Sequence, residues 1–127
     1  MGFRNNICVV GAGQWGKNHI RTIDNLLALK GIVEPDQEVL QKVLNKYPGV
    51  SGHTNLSEAL KEEYDGFTVA TPAETHFAIA REIILSGKHV LVEKPMTFLS
   101  SGFACRPRLL SSNSSFVCAG LCEPCYC

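Results

Sequence analysis

Three glycines, two and then three residues apart, follow the first apolar run of the sequence, and a turn with this spacing could hold a phosphate group. The run Ile7–Val10 leads directly into Gly11-Ala12-Gly13-Gln14-Trp15-Gly16. In such a segment the first glycine permits a tight turn, the second lets a pyrophosphate approach the backbone, and the third lets a helix pack close to its strand. The helix N-terminus adds free N–H groups and about half a positive charge. We therefore predict cofactor binding at Gly11, Gly13, Gln14, Trp15 and Gly16.

A single acidic residue, Glu34, lies at the end of the second apolar run, 18 residues after Gly16. A carboxylate at this position can accept both ribose hydroxyls of an adenosine, and it repels a 2′-phosphate. Neither Arg nor Lys follows directly, so the sequence favours NAD over NADP as the cofactor. The alternative is that Glu34 is only a solvated loop carboxylate. We interpret nearby Asp36 as a helix cap rather than a ligand.

Polar residues also follow the fourth and fifth apolar runs, at the predicted strand ends where open α/β sheets bind ligands. Thr71 and Pro72 could form a rigid wall beside the dinucleotide, followed by His76. Lys94 could polarise a substrate hydroxyl or stabilise an alkoxide during hydride transfer, with its charge state tuned by Glu93. The alternative for His76 is that it only solvates the start of a helix. The other histidines, His19, His53 and His89, are interpreted as structural or surface residues.

Short apolar runs alternate with amphipathic segments over the first 97 residues, a pattern typical of a parallel sheet covered by helices. One predicted helix has the apolar stripe Ile20, Ile23, Leu26 and Leu27, and Asp36 and Asn55 could cap the next two. The predicted strands are residues 7–10, 31–33, 50–53, 67–70 and 89–92, and a fourth helix covers residues 75–86. Right-handed crossovers then favour an α/β fold: a Rossmann-type doubly wound parallel sheet with strand order 3-2-1-4-5.

Three motifs in this order resemble the Gfo/Idh/MocA family of NAD(P)-dependent oxidoreductases: the glycine turn, Thr71-Pro72…His76, and Glu93-Lys94-Pro95. The glycine segment looks most like that of members which oxidise nucleotide-linked amino sugars. The resemblance covers about residues 5–97. It implies that Glu93 lies near the nicotinamide ribose and that Lys94 is the catalytic residue facing the substrate. It also implies a second, substrate-holding domain, which often forms a homo-oligomer interface and has no counterpart in this sequence.

The last thirty residues differ in composition from the rest of the chain. Residues 98–127 contain three charged residues and five of the six cysteines. We therefore predict a Rossmann domain over residues 1–97 and an irregular, disordered Cys/Ser-rich tail over residues 98–127. Our hypothesis is that a frameshift or a gene-model error replaced the genuine continuation with out-of-frame sequence, and resequencing the locus would check it.

The cysteine-rich tail has two further interpretations. Cys118, Cys122, Cys125 and Cys127 could hold zinc, but their spacing is cramped and we predict no metal site. A disulfide framework is less expected still in an intracellular chain.

Composition excludes several classes of protein. Twelve basic and twelve acidic side chains in 127 residues give no net charge, which argues against a nucleic-acid binder. No apolar run reaches the length of a membrane span, and Arg4 interrupts the N-terminus before any signal-peptide core, so we expect a cytoplasmic protein.

The function that these observations favour is nucleotide binding within an oxidoreductase. The parent enzyme would transfer hydride between a nicotinamide cofactor and a hydroxyl of a sugar, nucleotide-sugar or cyclitol, while this chain binds nucleotide without catalysis. The alternative is a non-catalytic nucleotide-binding module or a non-functional remnant. An S-adenosylmethionine-binding Rossmann domain also uses a glycine turn, but the Thr71-Pro72…His76 and Glu93-Lys94-Pro95 motifs do not fit it.

Overall fold

Strands and helices alternate along the chain, as the pattern of apolar runs predicts. The computed structural model describes residues 5–93 and 117–119. The strands are β1 (Ile7–Val10), β2 (Leu29–Val33), β3 (Ser51–His53), β4 (Gly66–Val69), β5 (His89–Val92) and β6 (Val117–Ala119). The helices are α1 (Gln14–Asn25), α2 (Gln37–Leu44), α3 (Leu56–Ala59) and α4 (His76–Leu85), and a 3₁₀ turn over Ala73–Thr75 precedes α4.

All six strands form one parallel sheet in the order β3-β2-β1-β4-β5-β6. The predicted order 3-2-1-4-5 is therefore confirmed. The sequence did not predict β6, which pairs with β5 in the register Val90 opposite Val117. The other tail residues lie outside the described part of the chain.

The sheet buries apolar side chains on both faces, as expected when helices cover both sides of a parallel sheet. On one face, Val9 packs in a core with residues of α1 and α2, including Ile20 and Leu40. On the other face, Cys8 and Val10 pack with residues of α3 and α4. Alternate residues of β1 therefore point into different cores.

Side chains and glycines set the helix boundaries at several points. The Asp36 carboxylate accepts hydrogen bonds from the backbone N–H groups of Glu38 (2.9 Å) and Val39 (3.2 Å). Asn55 likewise accepts from Glu58 N–H at 3.0 Å. Both predicted N-caps are confirmed. Gly87, predicted to end α4, has a positive φ of 80°.

The predicted apolar stripe of α1 is wrong at its C-terminal end. Ile20 is fully buried, but α1 ends at Asn25, and Leu26 and Leu27 are 70% and 74% exposed. The chain turns here, because Leu27 adopts a left-handed conformation with φ 58°. The strand β2 consequently begins at Leu29, two residues before the predicted start. None of the helices in the described part of the chain is long and apolar enough to span a membrane.

Candidate functional site

The glycine turn lies at the carboxyl end of β1, between the ends of β2 and β4. Gly11 N–H donates to the Val33 carbonyl at 2.8 Å, and Ala70 N–H donates to the Val10 carbonyl at 2.8 Å. These bonds hold the turn against both neighbouring strands. Because the strand order reverses beside β1, the turn lies at the point where open α/β sheets bind ligands.

Two of the three motif glycines are required by the fold itself. Gly11 has φ 98°, and a Cβ there would lie 2.7 Å from the Ala70 carbonyl oxygen. A Cβ on Gly16 would lie 1.9 Å from the Gly11 carbonyl oxygen. The absence of both side chains allows the first turn of α1 to pack directly against the end of β1.

Gly13 is different, because an added Cβ would meet nothing within 4 Å. Gly13 is the N-cap of α1, and no side chain of the described residues caps this helix end. The first-turn N–H groups therefore face open space, with the positive end of a twelve-residue helix behind them. The space beside Gly13 is therefore open to a ligand, and N–H groups at a helix N-terminus suit an anionic one. Gln14 follows Gly13 as the first residue of the helix and is exposed.

Glu34 lies beside the turn and contacts it directly. Its Oε2 accepts a hydrogen bond from Ala12 N–H at 2.9 Å, and its Oε1 accepts one from Asp36 N–H at 3.1 Å. Each carboxylate oxygen has a further lone pair, so both can accept additional hydrogen bonds from a ligand. The half-buried carboxylate is therefore fixed in orientation on the β2 side of the turn.

A cleft of about 180 Å³ opens on the other side of the turn, above β4 and β5. Trp15, Ala70, Thr71 and Glu93 line this cleft. Three of the predicted site residues, which come from three separate motifs, are thus brought together here. The Trp15 side chain is 68% exposed, which leaves its ring available to a ligand.

Hydrogen bonds fix the loop that carries Thr71 and Pro72. The Thr75 hydroxyl oxygen lies 2.7 Å from both the Thr71 hydroxyl and the Pro72 carbonyl oxygen. His76 Nε2 donates to the Thr71 carbonyl at 2.7 Å, and the His76 residue is only 2% exposed. His76 therefore holds the loop from beneath instead of lining the cleft.

The structure also joins α1 to the end of β5 through a side-chain pair that the sequence does not reveal. His19 Nε2 and Glu93 Oε1 form a hydrogen bond. The two side chains are 22% and 34% exposed. Glu93 N–H continues the sheet ladder by donating to the Val69 carbonyl at 3.1 Å. The sequence assigned His19 no role in the site, because 74 residues separate it from Glu93.

The predicted catalytic residue, Lys94, lies outside the described residues, as do Pro95 and most of the cysteine-rich tail. Among the residues that the structure describes, no group of three or more His, Cys, Asp or Glu side chains is placed to hold a metal ion.

The parallel order of the sheet, the open helix N-terminus at Gly13 and the carboxylate of Glu34 define a dinucleotide-binding Rossmann domain. A family model described as "Oxidoreductase family, NAD-binding Rossmann fold" matches residues 5–105. The chain belongs to this family, the Gfo/Idh/MocA oxidoreductases, and it is an NAD-binding domain.

The chain is similar in sequence to two curated relatives whose activities differ. It is 31% identical over 94 residues to the UDP-N-acetylglucosamine 3-dehydrogenase of Acidithiobacillus ferrooxidans. It is 30% identical over 93 residues to an inositol 2-dehydrogenase of Corynebacterium glutamicum. Each alignment covers 70% of this chain and 28% of the relative. The chain therefore spans less than a third of the length of these enzymes.

Two solved structures also match the chain over about three quarters of its length. GenD2 from gentamicin A biosynthesis, in complex with NAD, matches with a TM-score of 0.71 and 34% identity, covering 76% of this chain and 28% of GenD2. The WlbA dehydrogenase of Bordetella pertussis, in complex with NADH and UDP-GlcNAcA, matches with a TM-score of 0.70 and 31% identity. That match covers 76% of this chain and 30% of WlbA.

Proposed function

We propose that this chain supplies the NAD-binding half of an active site that transfers hydride to or from a carbinol carbon of a sugar, nucleotide-sugar or cyclitol. The relatives named as dehydrogenases of UDP-N-acetylglucosamine and inositol support this class of substrate. When bound, the nicotinamide supplies the hydride acceptor or donor. The chain's own residues bind and orient it.

One observation carries the proposal: the open space at Gly13 lies beside a carboxylate that is already fixed at the turn. The first-turn N–H groups of α1 would hold the diphosphate, and Glu34 would accept the adenosine ribose hydroxyls. Trp15, Thr71, Pro72 and Glu93 would surround the nicotinamide half, with Gln14 beside the diphosphate. His76 would support the loop that carries Thr71.

Catalysis requires more than this site. We propose Lys94 as the residue that polarises the substrate hydroxyl, and the chain spans only 28% of the length of the UDP-N-acetylglucosamine 3-dehydrogenase to which it is similar. We therefore propose that the nucleotide-binding domain occupies residues 1–97 and that the 127-residue chain binds NAD without turning over a sugar. The test is to assay the chain with NAD and a panel of sugars and cyclitols. Reduction of NAD that depends on one of these compounds would contradict the proposal.

The proposal extends to the intact enzyme. We propose a cytoplasmic homo-oligomer that acts on a small sugar-type substrate, with neither nucleic acid nor a membrane as partner. The balanced charge of the chain supports the exclusion of nucleic acid. Cell fractionation and sedimentation of the full-length protein would test these statements.

Glu34 gives the test of cofactor placement. Removing the carboxylate in Glu34→Ala should weaken NADH binding roughly tenfold, because two hydrogen bonds to ribose are lost. It should also reduce the preference for NADH over NADPH, because the carboxylate no longer repels the 2′-phosphate of NADPH. Fluorescence titration with both cofactors measures the two affinities. Glu38→Ala is the matched control, since it removes an exposed carboxylate close in sequence that lies outside the proposed site. Equal affinities in wild type and Glu34→Ala would show that the cofactor binds elsewhere.

A further inference from the structure

We propose that His19 is a positioning residue of the cofactor site: it holds the Glu93 carboxylate against the cleft so that the second carboxylate oxygen faces a ribose hydroxyl of the nicotinamide half. The inference rests on the proposed function and deepens it. His19 lies in the second turn of α1, whose N-terminus faces the diphosphate space. The hydrogen bond to Glu93 therefore joins the diphosphate end of the site to its far wall.

The chemistry of the pair fixes which group donates. An ionised carboxylate only accepts hydrogen bonds, so His19 must carry a proton on Nε2. The bond uses one oxygen of Glu93, Oε1. Within residues 5–93 the other oxygen makes no hydrogen bond, and Glu93 lines the 180 Å³ cleft with Trp15 and Thr71. The pair thus leaves one oriented acceptor for a ligand.

The topology shows which half of the cofactor this acceptor would meet. Glu34 follows β2, on one side of β1, whereas Glu93 follows β5, two strands away on the other side. A dinucleotide that crosses the turn with its adenosine at Glu34 must extend its second nucleoside over β4 and β5. Glu93 is the carboxylate in the described part of the cleft lining, so it is placed for a hydroxyl of that second ribose.

A purely structural role for His19 makes a different prediction. If the bond only attached α1 to the sheet, removing it would lower the affinity for every ligand of the domain equally, because the effect would act through the fold. A positioning role affects ligands that contain the nicotinamide riboside and leaves ADP unaffected. The ratio of NADH affinity to ADP affinity therefore separates the two roles.

The experiment measures binding of NADH and ADP to the full chain by calorimetry. In His19→Ala we expect NADH to bind roughly three- to tenfold more weakly and ADP to bind within a factor of about two of wild type. His19→Gln, whose amide N–H can replace the imidazole donor, should restore most of the NADH affinity. Asn18→Ala, a neighbouring exposed position on the same helix, is the control and should change neither ligand.

Glu93→Ala provides a second variant in case His19→Ala fails to fold. It should give the same selective loss of NADH affinity, and the double variant should lose little more than either single variant. Equal weakening of NADH and ADP in these variants, or no change in either, would overturn the positioning role. If the folded wild-type chain bound neither NADH nor ADP, the proposed function would fail, and this inference with it.

Discussion

At the scale of single residues, the three motif glycines have two separate roles. Gly11 and Gly16 carry no side chain because backbone atoms lie where their Cβ atoms would be. Gly13 carries none although the structure has room for one. The fold does not require a glycine at residue 13, so the proposed diphosphate site is what assigns a role to the missing side chain.

This difference gives a prediction for Gly13. In Gly13→Val we expect NADH affinity to fall at least tenfold, because the valine side chain fills the diphosphate space. The midpoint of thermal unfolding should fall less than in Gly16→Ala, because valine is a poorer N-cap than glycine but meets no backbone atom at residue 13. The backbone at Gly13 has φ −71° and ψ −163°, which valine can adopt. Fluorescence titration and thermal unfolding measure the two effects. Gly16→Ala is the contrasting variant and should lose NADH affinity and stability together. Unchanged NADH affinity in Gly13→Val would contradict the placement of the diphosphate.

The residues of the site were predictable where their role depends on local sequence. The glycine turn and Glu34 each follow an apolar strand directly, so their positions at the carboxyl edge follow from the strand pattern. The contact between His19 and Glu93 was not predictable, because it depends on where the fold places the second turn of α1 relative to the end of β5. His76 shows the same limit: its burial beneath Thr71 comes from packing and not from spacing.

At the scale of elements, the ends of α1 and α4 have the same backbone geometry with different residues. Leu27 N–H donates to the Asp24 carbonyl and Ala28 N–H to the Ile23 carbonyl, a Schellman motif. Gly87 and Lys88 make the equivalent bonds at the end of α4. The left-handed position is a glycine in α4 and a leucine in α1. The periodicity of apolar residues extends through Leu27, which is why the sequence alone predicted a longer helix there.

Leu27 should therefore destabilise the domain. In Leu27→Gly we expect the free energy of unfolding to rise by about 0.5–1 kcal/mol, because glycine removes the steric cost of the left-handed conformation and the exposed leucine loses little burial. Urea unfolding measures the change. Leu26→Gly is the matched control: Leu26 is also exposed but has φ −84°, so glycine should give no gain there. Equal stabilisation by both substitutions would contradict the conformational explanation.

At the scale of the whole molecule, two titratable groups are buried in the core on the α3 and α4 face of the sheet. Cys8 is fully buried in β1, and burial raises the pKa of its thiol. Burial also raises the pKa of Tyr64 from 10.0 to about 12, with a smaller contribution from Cys8. The Tyr64 hydroxyl lies 2.9 Å from His53 Nε2, and its ring packs edge-on against Phe67. The fold therefore favours the neutral form of both groups.

Alkaline pH should consequently destabilise this domain. A group whose pKa is higher in the folded than in the unfolded state contributes stability that is complete below the unfolded pKa and is lost as the pH rises toward the folded value. For Cys8 the loss begins near pH 9, and for Tyr64 it runs from about pH 10 to about pH 12, at no more than about 1.4 kcal/mol per pH unit for each group. Urea midpoints measured between pH 7 and 11, with a reductant present, should decline from about pH 9.

The variant Tyr64→Phe tests the contribution of Tyr64. It should be less stable than wild type at neutral pH, because it loses the contact with His53, yet its stability should decline less steeply above pH 10. Tyr47→Phe is the control, because it removes a phenol outside this core. A decline above pH 10 as steep in Tyr64→Phe as in wild type would show that ionisation of Tyr64 does not drive the unfolding.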